Sequence, residues 1–216
     1  MKRFLIILSV AINVLFCFAI VRHFVLLPKS VKPTHITYWL NRDELFKQLL
    51  IDSNSIVFAG DSHIENFEVT EIFNSLHIKN RGINYDTSKG LLNRLDDLLT
   101  AKPKKIFIEI GTNDIVTGIP AKETLNNVEK SILLIHAKTP GTQIFILGVL
   151  YTHAQVQPLN YALSKLANKR NATYVNLSSI NDGGGLKKIY NSGDGIHLNG
   201  KGYLRLSEIL TPFLRK

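Results

Sequence analysis

From Tyr38 onward, short apolar runs alternate with segments of helical spacing. Ser55-Ile56-Val57-Phe58-Ala59 ends at Gly60, Lys105 to Ile110 ends at Gly111, and Gln143 to Leu147 ends at Gly148. Leu76 to Asn80 and Ala172 to Leu177 are weaker runs of the same kind. Continuous apolar, β-branched runs of this length suit strands covered on both faces, as in a parallel sheet. Between them, Leu91, Leu92, Leu95, Leu98 and Leu99 form one apolar helical face, with Pro103 beyond its end. Leu125, Val128, Ile132 and Ile135 form a second, bracketed by Pro120 and Pro140. Leu159, Leu163 and Leu166 form a third, and Tyr203, Leu206, Ile209, Leu210 and Phe213 a fourth. The alternation predicts right-handed βαβ units and an α/β, doubly wound parallel sheet of about five strands.

Ahead of this body, Phe4 to Val21 is 18 consecutive positions without a formal charge, flanked by Lys2 and Arg3 on one side and Arg22 and His23 on the other. As a helix it would span about 27 Å, close to the ~30 Å hydrocarbon core of a bilayer. The run is longer than the ~7–15 residue core of a signal peptide, and Cys17-Phe18-Ala19 is its best cleavage site. A membrane anchor is expected, against a cleaved signal peptide or a core helix; both export readings place the body outside the cytoplasm. Arg22 to Thr37, with Pro28 and Pro33, reads as linker. The expected division is 1–33 for anchor and linker and 34–216 for one compact domain.

With 45% apolar and 20% charged residues, the composition is globular. The single cysteine, Cys17, excludes an intrachain disulfide and cysteine-rich zinc sites. The +9 charge admits nucleic acid, an anionic membrane or an acidic substrate as partner. Residues 1–33 contribute +5 of it through Lys2, Arg3, Arg22, Lys29 and Lys32, with no acid, which leaves +4 for the body. That distribution suits anionic headgroups and removes most support for nucleic acid. The run Lys102-Pro103-Lys104-Lys105 reads as a solvated loop leading into a strand.

In doubly wound sheets, ligands bind beyond the carboxyl ends of the strands. The polar interruptions at those ends are Gly60-Asp61-Ser62-His63, Asn80-Arg81-Gly82-Ile83, Gly111-Thr112-Asn113-Asp114 and, before the last helix, Gly193-Asp194-Gly195-Ile196-His197. Acyl transfer needs a nucleophile, a base, a group to orient the base, and oxyanion donors. Ser62 follows a strand and precedes a helix. Asp194 and His197 are spaced so that the carboxylate meets one ring nitrogen while the other faces Ser62. The Asn113 amide and the backbone N–H groups of Ser62 and Gly82 are candidate oxyanion donors. No Gly-x-Ser-x-Gly elbow, P-loop or dinucleotide-binding glycine pattern competes with this reading. His35, His77, His136 and His153 lack metal-ligand spacing, although His153 is placed to line a pocket.

These four blocks, from about Ile56 to Leu210, resemble the SGNH (GDSL-type) hydrolase superfamily. Asn80-Arg81-Gly82-Ile83, Asp86-Thr87 and Leu92-Asn93-Arg94-Leu95-Asp96 are similar to its branch of platelet-activating-factor acetylhydrolase-like esterases. The resemblance implies a flavodoxin-like parallel sheet with no metal and no organic cofactor. It assigns Ser62 as nucleophile, His197 as general base and acid, Asp194 as orienting carboxylate, and Gly82 and Asn113 as oxyanion donors. Two positions depart from the pattern: His63 stands where the family usually has Leu or Ile, and Tyr85 where the second block often carries another glycine. The activity implied is hydrolysis of short acyl esters on a small molecule, lipid or glycan. Transfer of the acyl group to a sugar hydroxyl, and an inactive glycan- or lipid-binding module, are the alternatives.

Overall fold

A computed structural model describes residues 34–182 and 185–215, together with positions 2, 9–10 and 12–17. The chain divides into two units, 1–34 and 35–216. In the first, the described positions 2, 9–10 and 12–17 are helical and exposed. Most of the expected anchor, namely 4–8, 11 and 18–21, and the expected linker over 22–33 lie outside the described residues. Among the described residues no helix is long and apolar enough to cross a membrane.

The second unit begins with α1 (His35–Gln48), which claims three residues expected to be linker. Then follow β1 (Ile56–Gly60), α2 (Ser62–Glu65), α3 (Val69–Ile72), β2 (Ile78–Gly82), α4 (Ser88–Leu99), β3 (Lys105–Glu109) and α5 (Thr112–Val116). The chain continues through α6 (Ala121–Lys138), β4 (Gln143–Leu147), α7 (Val156–Lys169), β5 (Thr173–Val175) and α8 (Gly200–Arg215). The five strands are all parallel, in the order β2-β1-β3-β4-β5. This is the flavodoxin-like order, whose switch point lies between β1 and β3.

Strand periodicity explains the two cores. Val57, Ala59, Ile106, Ile108, Ile144 and Ile146 point to one face and pack under the apolar stripes of α4, α6 and α7. Phe58, Phe107, Phe145 and Leu147 point to the other and meet Leu206 and Leu210 of α8. The three phenylalanines stack across neighbouring strands, with centroids 4.6 and 4.4 Å apart. Lys105 departs from the solvated reading. Its stem is buried, and its ammonium donates to the carbonyls of Phe213 (2.6 Å) and Leu214 (3.1 Å), capping the end of α8.

Candidate active site

β1 ends at Gly60, which has no room for a side chain: a Cβ there would stand 2.0 Å from the carbonyl oxygen of Glu109 on β3. The chain then turns through Asp61, whose carboxylate accepts from the N–H of His63 at 3.1 Å and caps α2. Ser62 is therefore the first residue of α2, immediately past the carboxyl end of β1 and 8% exposed. Asn113, in α5, occupies the corresponding place after β3. The switch point thus carries both residues.

The loop before α8 brings in the histidine. Asp194 Oδ1 accepts from the N–H groups of Ile196 and His197, both at 2.8 Å, and from the Ser192 hydroxyl at 3.0 Å. Its Oδ2 lies 2.6 Å from His197 Nδ1, and His197 Nε2 lies 3.0 Å from Ser62 Oγ. A carboxylate only accepts, so Nδ1 carries the hydrogen and Nε2 turns its lone pair to the Ser62 hydroxyl. Burial alone would raise Asp194. The hydrogen bonds from the His197 ring, the two backbone N–H groups and Ser192 outweigh it and hold the carboxyl well below the usual carboxylate range. Asp194 stays ionised and the imidazole keeps one tautomer.

Three of the five expected site residues, Ser62, Asp194 and His197, therefore meet in one hydrogen-bonded chain. Asn113 joins Ser62 and His197 on a cleft of about 320 Å³, lined also by Asn66, Asn84, Tyr85, Val116 and Ile196. One hydrogen of its amide goes to the Asp86 carbonyl at 2.9 Å, which fixes the amide and leaves its second hydrogen for a ligand.

Gly82 is not brought to the cleft, and the expectation that it supplies an oxyanion donor is corrected. Its N–H donates to Asn80 Oδ1 at 2.9 Å. Its missing side chain serves packing instead, since a Cβ there would stand 2.1 Å from the backbone nitrogen of Glu65 in α2. The residues of that segment that line the cleft are Asn84, whose N–H is taken by the Glu65 carboxylate, and Tyr85, with φ 66°. Its N–H has no acceptor among the described residues. Sequence reasoning treated Tyr85 only as a departure; a backbone donor leaves no mark on the side chain that happens to stand above it.

Larger clefts lie away from the serine. One of about 680 Å³ is lined by His153 with Tyr151, Asn160 and Tyr174, so His153 does line a pocket, though not that of Ser62. Beneath Ser62 lies a fully buried group, Asp61, His63 and Glu109, whose potential ligand atoms lie within 4.8 Å of one another. It is the one such grouping with metal-site spacing among the described residues.

The sequence model of the GDSL-like lipase/acylhydrolase family matches residues 61–205. The human platelet-activating factor acetylhydrolase IB subunit alpha2 is 29% identical over 170 residues, covering 72% of this chain and 73% of that protein. Among solved structures, a candidate platelet activating factor from Streptococcus pneumonia is 30% identical with a TM-score of 0.76, covering 83% of this chain and 94% of that one. A GDSL-like lipase from Bacteroides thetaiotaomicron superposes with a TM-score of 0.72 at 21% identity, covering 82% and 97%, and shares the fold.

Proposed function

Because the chain belongs to the GDSL-like lipase/acylhydrolase family and is an ester hydrolase, we propose that it cleaves short-chain acyl esters through Ser62, His197 and Asp194. The observation that carries this is the continuous chain from Asp194 through His197 to Ser62, at 2.6 and 3.0 Å. His197 Nε2 takes the Ser62 proton as Oγ bonds to the acyl carbon. The carbonyl oxygen becomes an oxyanion beside the Ser62 N–H, the Asn113 amide and the Tyr85 N–H. Each such donor is typically worth about 2.7–4 kcal/mol in the transition state. The intermediate collapses, the bond to the alcohol breaks, and His197 returns its proton to the leaving oxygen. Water then attacks the acyl-enzyme with His197 again as base, releasing the acid and restoring Ser62.

A cleft of about 320 Å³ is at the small end for ligand sites and favours short acyl groups. The name of the human relative contains acetylhydrolase, which favours acetyl among them. We also propose, from the apolar run at 4–21 and its basic flanks, that the body works outside the cytoplasm, tethered at a membrane.

The test is pre-steady-state hydrolysis of p-nitrophenyl acetate. Wild type should release a burst of p-nitrophenol and Ser62→Ala none, with acetate rather than an acetylated sugar as product when a sugar is added. Equal bursts from the two proteins would sink the nucleophile assignment.

A further inference from the structure

We propose that His63 is a positioning residue: an imidazolium that ties the nucleophile turn and the end of β3 to the loop carrying Asp194 and His197. Its Nε2 lies 2.7 Å from the carbonyl oxygen of Ile196, an acceptor, so Nε2 carries a hydrogen. Its Nδ1 lies 3.5 Å from Asp61 Oδ1 and 3.5 Å from Glu109 Oε2, again two acceptors. A bare Nδ1 would aim its lone pair at two carboxylates in the core. With both nitrogens protonated, the ring is instead the cation between them.

The surroundings demand such a cation. Asp61, His63 and Glu109 are 0%, 0% and 1% exposed. Among the described residues, both oxygens of Glu109, Asp61 Oδ2 and His63 Nδ1 make no hydrogen bond within ordinary distance, so charge is what links them. Buried carboxylates are costly without a paired charge. Burial alone would lower His63, but the charges of Glu109 and Asp61 outweigh it and hold the imidazole well above its usual range. Burial, then the Asp61 charge, pushes Glu109 up. The other titratable groups facing the cluster are His197, its ring centroid 5.8 Å from that of His63, Tyr203 of α8, and Asp86, whose carboxylate feels the charge of Asp61. Arg94 of α4 approaches through the Gly60 carbonyl at 3.2 Å.

Each contact of His63 adjoins a part of the proposed machinery. Asp61 precedes Ser62, Ile196 precedes His197, and Glu109 closes the strand that leads to Asn113. The inference therefore rests on the triad reading. Without the strut, the Ile196 carbonyl loses its donor and His197 its fixed approach to Ser62. A displacement of about 1 Å there is enough for a loss of ~100-fold.

The experiment combines a charge-state readout with kinetics. In ¹⁵N-histidine-labelled full chain, His63 should show both nitrogens protonated at pH 7, and Glu109→Gln should lower the pH at which it loses one. His63→Leu should lower kcat on p-nitrophenyl acetate by about 10–100-fold with KM within about twofold. A singly protonated His63 at pH 7 in wild type, or wild-type kcat in His63→Leu, would overturn the proposal. So would a stoichiometric metal whose removal by chelation abolishes activity. If His63→Leu does not fold, the spectrum and Glu109→Gln still decide. Failure of the triad reading shows separately, as a burst that survives Ser62→Ala.

Discussion

Tyr85 holds its backbone at φ 66°, in the left-handed region that costs a residue with a Cβ about 1–2 kcal/mol. Bonds on both sides of it hold the conformation. The Asn84 N–H donates to the Glu65 carboxylate, and the Asp86 side chain is gripped by Trp39 and Arg94. Strain of this kind persists where neighbouring structure over-determines it, often at functional sites. If the backbone N–H is what matters, Tyr85→Gly keeps the donor and relieves the strain. Its kcat on p-nitrophenyl acetate should stay within about threefold of wild type. Its stability in urea should rise by up to ~1 kcal/mol, after the entropy that glycine brings to the unfolded chain. A loss of activity as deep as that of Ser62→Ala would assign the role to the phenol side chain instead. Residue by residue, legibility in the sequence followed side-chain chemistry. Ser62, Asn113, Asp194 and His197 each present a group whose type and spacing point to the cleft. Gly82 misled because its reason for being glycine is the approach of α2, which only the packed structure reveals. Glu109 hid in an apolar strand, its partner His63 being buried by tertiary contacts alone.

Among the elements, α4 is fastened to the site by one buried ion pair. Arg94 Nε lies 2.9 Å and its terminal nitrogen 2.8 Å from Asp86 Oδ2, and Trp39 of α1 donates to Asp86 Oδ1 at 2.8 Å. Burial, partly opposed by Arg94, pushes the Asp86 carboxyl up to about 6. Removing the cation alone leaves a buried charge, which typically costs about 3–5 kcal/mol. Arg94→Leu should lose stability on that scale at pH 8. A folded carboxyl raised above its unfolded value binds its proton more tightly in the native state. The loss should therefore shrink as pH falls toward 5 and Asp86 becomes neutral. Urea denaturation at both pH values checks this, and a loss that grows on acidification would refute it. The same elements show what periodicity can and cannot reveal. β1, β3 and β4 were legible because strands covered on both faces leave unbroken apolar runs. β5 keeps only Thr173–Val175 of its predicted run, the three residues that pair with β4 at the sheet edge. α1 was missed because Phe46 is its one buried apolar side chain. It is held largely by polar ties, Trp39 to Asp86 and Tyr38 to Glu65, for which hydropathy has no signal.

At the scale of the molecule, more than half of the +9 charge lies outside the catalytic body. Residues 1–33 hold +5 with no acid, so the body of more than 180 residues carries only the remaining +4. The site itself is not cationic: the cleft is lined by asparagines, Tyr85, Val116, Ile196 and the serine–histidine pair, with no lysine or arginine. A hydrolase of this design selects by the shape and donors of its cleft, which leaves the amino-terminal charge to the proposed membrane tether. Basic residues next to an apolar run attract anionic headgroups at roughly 1 kcal/mol each near the surface. The proposed export then has a sharp consequence. Alkaline phosphatase, which is active only outside the cytoplasm, fused after Lys216 should be active in cells expressing the full chain, and the fusion should sediment with membranes at 1 M salt. The same fusion beginning at Thr34 should be inactive in cells and stay in the supernatant. Its esterase domain should still hydrolyse p-nitrophenyl acetate after lysis, since Ser62, Asn113, Asp194 and His197 all lie beyond the cut. An inactive full-length fusion with the esterase intact would place the enzyme in the cytoplasm. Release of the fusion by salt alone would reduce the amino terminus from an apolar tether to a basic surface contact.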